Sequence, residues 1–215
     1  MKKNILYFLS IGLLLFASCN NSKKSDKQQQ DSIPQVSMNN PEEIQQISEV
    51  ISRFARAYLS QDNDKINALI NPETGIAIIH RPGVADTYNI VDSIDFKNPV
   101  PAHYAYETFQ NDQVLTFAPI PEFDCGKDKW TKIGFFCDTT AGTTHKPLET
   151  IAKFLAEFEE VKFDEAKKKE IEALENGAYR VILAQEKNSL IFHVKKFKNG
   201  WFVTILDRAY GSCDA

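Results

Sequence analysis

The chain carries no glycine-rich phosphate loop, no Gly-x-Ser-x-Gly elbow and no His-Glu-x-x-His pair, so the common signatures of nucleotide binding, serine hydrolysis and zinc proteolysis are missing. A surplus of one charge is missing too. Lys+Arg number 25 against Asp+Glu 29, a net charge of −4, and the cations are scattered outside Lys167 to Lys169. That leaves no electrostatic footprint for a nucleic acid. After Ala17 no apolar run approaches the roughly 20 residues of a membrane span, and no internal repeat announces a solenoid or propeller. Neither a metal centre nor a cofactor is implied by these residues.

What is present starts at the amino end. Lys2 and Lys3 precede an apolar run from Ile5 to Ala17, which closes in Phe16-Ala17-Ser18-Cys19. The lysines hold the amino end on the cytoplasmic side, and the run is short for a permanent helix, so a cleaved leader over residues 1–18 is expected. Small residues before Cys19 open the backbone to a peptidase, and the thiol is the attachment point for lipid. This segment resembles the lipoprotein signals of Bacteroidota, in the looser form with Phe16 where Leu is usual. An ordinary secretory leader with an incidental cysteine is the competing reading. The resemblance implies a lipid-anchored protein of the outer membrane, attached to the membrane through that lipid alone. The residues after Cys19 include no acidic cluster, which favours the periplasmic face.

Residues 19–40 are polar, with Lys23, Lys24 and Gln28 to Gln30, and read as a flexible tether. Residues 41–215 are long enough for one domain with a sizeable core, since 43% of the chain is hydrophobic and it holds 15 phenylalanines. With Cys19 lipidated, Cys125, Cys137 and Cys213 remain. Cys137 follows Phe135 and Phe136 in a strand-like run and reads as a buried thiol. Cys125 and Cys213 read as loop cysteines, and a disulfide between them would pin the carboxyl end; Cys125 with Cys137 is the alternative.

Asn40, Pro41 and Glu43 signal a helix start, and Ile44, Ile47, Ile51, Phe54 and Tyr58 give it one apolar stripe. A second helix is expected from Asn63 to Ile70, ended by Asn71-Pro72. The middle is strand-like and broken by prolines, with strands at Ile76 to His80, Val114 to Phe117 and Trp130 to Cys137. Helices are expected again after Pro147 and from Asp164 to Asn176-Gly177. Tyr179 to Gln185, Ser189 to Lys198 and Trp201 to Asp207 complete an antiparallel meander, with Asn199-Gly200 as its turn. The fold class is therefore α+β: N-terminal helices packed on a curved antiparallel sheet that ends in a three-stranded meander. The order of elements, with its opening helix pair and its closing Gly200-Trp201 strand, resembles the nuclear-transport-factor-2-like superfold, which hosts enzymes and binding modules alike.

The candidates for chemistry are few. His103 and Glu107 lie four apart, but Pro99 and Pro101 argue against the helix that a metal pair would need. Cys137, His145 and Asp138 contain the groups of a nucleophile, base and orienter, yet the apolar setting of Cys137 favours a structural thiol. His80 shares a strand face with Ile76 and Ile78, and Arg81 follows it into a turn, so this pair can line a pocket. In the meander, two-residue turns would place Lys195 opposite Arg180 and Thr204, and His193 opposite Ile182 and Leu206. Tyr179, Val181, Leu183, Leu190, Phe192, Val194, Trp201, Val203 and Ile205 would then share the core face. Arg180, His193, Lys195, Leu206 and Arg208 would share the other. Two like charges so close call for a protein carboxylate or an anionic ligand between them.

Three functions remain open: a binding or interaction module for a small anionic ligand or an envelope protein, a hydrolase or isomerase using His80, His193 and Asp95, or a subunit of an envelope assembly. No catalytic residue is assigned. The candidate ligand-binding residues are His80, Arg81, Arg180, His193 and Lys195. The anchor is tested first: Cys19→Ala should yield an uncleaved or soluble product in membrane fractionation, whereas a mature-sized product in the membrane fraction would contradict it.

Overall fold

The computed structural model describes residues 40–139, 145–159, 161–186 and 188–209. The leader, Cys19 and nearly all of the tether lie outside these residues, as does Cys213, the expected partner of Cys125. The described chain opens with helix α1 (Pro41–Leu59), whose N-cap Asn40 accepts from the Glu42 amide at 3.1 Å and whose first helical residue is Pro41. Glu43 forms an ion pair with Lys196. Ile47, Ile51, Phe54 and Tyr58 are buried, as the apolar stripe requires. The short helix α2 (Asn63–Asn67) follows, with the Asp62 carboxylate accepting from the Lys65 amide.

Nine strands come next, with two helices between the sixth and seventh: β1 (Ile76–His80), β2 (Thr87–Val91), β3 (Leu115–Phe117), β4 (Phe123–Asp124), β5 (Lys129–Trp130), β6 (Gly134–Cys137), β7 (Tyr179–Ala184), β8 (Ser189–Phe197) and β9 (Gly200–Asp207). Helices α3 (Pro147–Phe158) and α4 (Glu165–Glu175) make the interruption. Seven strands form one sheet in the order β2-β1-β9-β8-β7-β6-β3, and β4 pairs with β5 as a separate hairpin. The sheet is mostly antiparallel, but β1 runs parallel to β9 and β3 parallel to β6. The architecture is α+β, as expected, and ends in the β7-β8-β9 meander.

Both faces of the sheet are covered. Phe54 of α1 packs its ring 4.6 Å from that of Phe192, at the centre of a cluster that includes Ile78, Val181, Leu183, Val203 and Leu206. On the opposite face, Leu148, Ile151 and Leu155 of α3 and Ile171 and Leu174 of α4 close over Ala77, Ile79 and Ile205. Farther along that face the β4–β5 hairpin lays Trp130 against Ile182, Ala184 and Ile191. Fully burying side chains of this size contributes about 1.5–3 kcal/mol each, which drives the layering.

The meander departs from the expected register. Phe197 pairs with Gly200, so Lys198 and Asn199 form the turn, and Lys195 lies opposite Phe202 instead of Thr204. Leu183 pairs with Leu190, and Arg180 faces His193 instead of Lys195. Both slips are of two residues. Such a slip keeps every side chain on its own face, so hydrophobic alternation cannot exclude it. A bulge then intervenes: Val194 pairs with Val203 but His193 with Ile205, which leaves Thr204 as the extra residue. Beyond it the faces exchange. Leu206 joins the core beneath α1, and Ile205 turns toward α3 and α4, the reverse of the expected assignment. The expected strand from Trp130 to Cys137 is broken at Gly134, whose φ is +148°. A Cβ there would sit 2.5 Å from the Phe136 ring.

The last residue of α4 holds the start of α3. Lys146, the N-cap of α3, makes no side-chain capping bond, and the free amides of Leu148 and Glu149 donate instead to the buried carboxylate of Glu175, at 2.9 Å for Leu148. Burial pushes that carboxyl up to about 7, against the pull of its amide donors and of Lys146. Glu175→Ala should leave these amides without their acceptor and lower stability by about 1–3 kcal/mol in urea denaturation. An unchanged midpoint would show that the cap contributes nothing.

Candidate functional site

Strands β1 and β9 are parallel neighbours, so their carboxyl ends emerge side by side. His80 and Arg81 leave β1 where Asp207 and Arg208 leave β9. The chain between β2 and β3 folds over this end, and the β4–β5 hairpin closes the far side. Between them lies an open cleft of about 880 Å³. His103, Tyr104 and Glu107 line one wall; Phe123, Asp128 and Trp130 line the other.

Arg208 fixes the first wall. Its guanidinium donates to the carbonyls of Val100, Tyr104 and Ala105, the last two at 2.6 Å, and lies 4.2 and 4.3 Å from the ring centroids of Tyr104 and Tyr106. A planar cation with five donors suits this dual task, which Lys could not perform. The Tyr58, Phe96 and Tyr106 rings meet edge to face behind it, at 5.3–6.0 Å between centroids. Arg81 pairs with Asp86 at 2.6 Å.

Of the five candidate ligand-binding residues, His80 and Arg81 line this cleft; Arg180, His193 and Lys195 do not. Those three do share a face, as expected, but helices and loops cover it. Arg180 lies 3.8 Å from the Asp207 carboxylate, with both side chains 7% exposed, so a protein carboxylate stands against Arg180, but the expected Arg180–Lys195 pair does not form. Lys195 donates to the carbonyls of Glu172 and Ala173 at 3.2 and 2.6 Å. It thereby caps the carboxyl end of α4, where a cation meets the negative end of the helix dipole.

His193 is fully buried, with its ring 5.5 Å from that of His145 and, among the described residues, no group bonded to either ring nitrogen. Burial first, then Arg180 and His145, hold its pKa well below the usual histidine value; burial and Arg180 bring His145 down to about 4. The remaining proposed groups are also placed apart. Asp95 accepts from Asn63, Lys97 and Asn98, which fold it into a local turn and hold its carboxyl near 2. Cys137 is a free thiol buried beneath α1, where desolvation pushes its pKa up, whereas His145 lies on the other face of the sheet. His103 and Glu107 both reach the cleft from irregular chain. Among the described residues no three His, Cys, Asp or Glu side chains converge to hold a metal ion, and no helix is long and apolar enough to cross a membrane.

The sequence gives Arg208 no role of its own, marks Trp130 only as the start of a strand, and assigns no role in a site to Tyr104, Asp128 or Glu186, the last of which also lines the cleft. The signal available was weak: an aromatic run from Tyr104 to Phe109 within proline-rich chain. Compared with known proteins, the chain matches no family model, no curated protein and no solved structure.

The buried histidines set a pH dependence. Below about 6.5 the unfolded chain takes up protons that these rings refuse, so folding weakens as pH falls through that value toward the folded pKa values. Glu175 acts in the opposite sense, since a raised carboxyl pKa favours folding as pH falls from about 7 toward 4.5. Comparing variants that both retain Glu175 separates the two. The loss of thermal stability between neutral and mildly acid pH should be smaller in His193→Leu than in the parent protein; equal losses would contradict the buried-histidine account.

Proposed function

We propose that the chain is a binding module, held on the envelope membrane by lipid on Cys19, whose domain takes a small ligand into the cleft at the ends of β1 and β9. The observation that carries this reading is the cleft itself, a space of about 880 Å³ whose wall is braced by Arg208 before any ligand arrives. A prebuilt wall spares a ligand the cost of ordering loops on binding. Concave sites lined by aromatic rings and a few polar groups are the usual form of small-molecule sites. The Cys125–Cys213 disulfide belongs to the same envelope reading, and non-reducing peptide mapping that links Cys137 instead would remove it. The likeness in element order to the nuclear-transport-factor-2-like superfold is compatible with a binding role.

The alternative is a hydrolase or isomerase, for which the specific observation is that His80 lines the cleft with its pKa lowered, first by burial and then by Arg208 and His103. A neutral imidazole is the form that accepts a proton. Of the three acid–base candidates, His80 alone lines the cleft.

A thermal-shift screen across chemically varied small molecules distinguishes these readings. At least one class should raise the melting temperature of the full chain, and Tyr104→Ala should abolish the rise. A ligand present at a hundredfold its Kd stabilises by about 2.7 kcal/mol, well within reach of the method. A screen without a stabilising ligand sinks the binding reading. Conversion of a stabilising ligand, halted in His80→Gln, would establish the enzyme instead.

A further inference from the structure

We propose that the cleft takes a small organic cation attached through its ammonium groups, an inference that rests on the reading of the cleft as a ligand site. It follows from which hydrogen-bonding groups of the cleft are already spent. The permanent cations are committed: Arg81 to Asp86, and Arg208 to three backbone carbonyls and two tyrosine rings. No lysine lines the cleft among the described residues.

The acceptors are in the reverse condition. Glu107, Asp128 and Glu186 line the cleft as exposed carboxylates, and among the described residues none of them has a cationic partner. Deeper in the cleft is His80, only 6% exposed. Its Nδ1 lies 3.5 Å from the Ile78 carbonyl, at the long limit of a hydrogen bond, and a proton there leaves Nε2 as an acceptor. No protein donor bonds to Nε2 among the described residues. A side chain more than nine-tenths buried therefore lines the cleft with unused accepting capacity, and the lowered pKa that burial gives it keeps the ring neutral.

Tyr104 adds the third element. Arg208 occupies one face of its ring and holds it in place, and the side chain is still 39% exposed, so the ring retains surface on which a cation's methylenes can pack. An alkylammonium ligand meets all three features, because it supplies only donors, carries positive charge and places methylenes on the ring. An anionic ligand would approach three carboxylates of its own sign.

The shared chemistry is the primary ammonium group, which a free polyamine and the lysine side chains of a short peptide both carry. Titration calorimetry on the full chain in detergent, with spermidine and trilysine as probes and citrate and triglutamate as opposites, separates these sources. At least one cationic probe should bind, more weakly at high salt than at low. The combined Glu107→Gln, Asp128→Asn and Glu186→Gln variant should lose about tenfold or more in affinity at low salt, since it removes three attractive charges. These side chains are exposed and the changes nearly isosteric, so an unaltered thermal melt is expected alongside. His80→Leu should weaken the same probe several-fold. Binding by spermidine alone assigns a polyamine; binding by trilysine alone assigns a basic peptide. Binding of citrate or triglutamate, cation affinity unchanged in the triple variant, or no binding by either cation overturns the inference. None of these outcomes by itself sinks the cleft reading, which fails only if every ligand class leaves the melting temperature unchanged in the thermal-shift screen.

Discussion

The parallel pairing of β1 with β9 is the constraint on which the rest of the structure depends. It joins residues more than a hundred positions apart, Ala77 with Ile205 and Ile79 with Asp207, and sets the first long strand beside the last. Closing so long a loop costs entropy, which only burial on both faces offsets. Ile78 and Leu206 face α1 while Ala77 and Ile205 face α3 and α4, so both cores meet at this pair of strands. The cleft is a by-product of the same pairing. Two parallel strands end together, and His80 and Arg208 emerge as neighbours along its edge.

Charge that could serve a ligand is largely used to close the fold. Lys195 terminates α4, Glu175 starts α3, and Arg180 meets Asp207 under cover. Each removes an orphan carbonyl, amide or charge whose burial would otherwise cost stability. A covered face with this many polar groups is high in risk and specific in geometry, because removing one member strands the other. Arg208 belongs to neither layer. The bulge at Thr204 turns it away from Arg180 and Lys195, toward the tyrosines, where it holds irregular chain against the end of β9.

Much of the fold was legible in the sequence because local signals and burial agree. Asn40 and Pro41 start α1, β1 spans Ile76–His80 as expected, and Gly177 follows α4 with a φ of +76°. What stayed hidden was relational. Strand Thr87–Val91 is half-buried and gave no distinct alternation. Register is fixed by alternation only up to a slip of two, and both hairpins slipped by that amount. The bulge has no sequence signature, yet it decides where Ile205, Leu206 and Arg208 point. For the site, His80 and Arg81 were legible as a strand-end pair. The remainder of the cleft was not, because His103, Tyr104, Glu107, Asp128 and Trp130 are collected from irregular chain and a short hairpin by tertiary contacts alone.

The central claim is that the cleft wall is a prebuilt structure pinned by Arg208 onto a sheet that does not itself need that residue. Hydrogen–deuterium exchange on the full chain, comparing the parent with Arg208→Ala, tests it most directly. The account predicts faster exchange over residues 96–110 in the variant, with β1 and β9 keeping their protection. Protection lost together in β1, β9 and the wall, or no change anywhere, would contradict it.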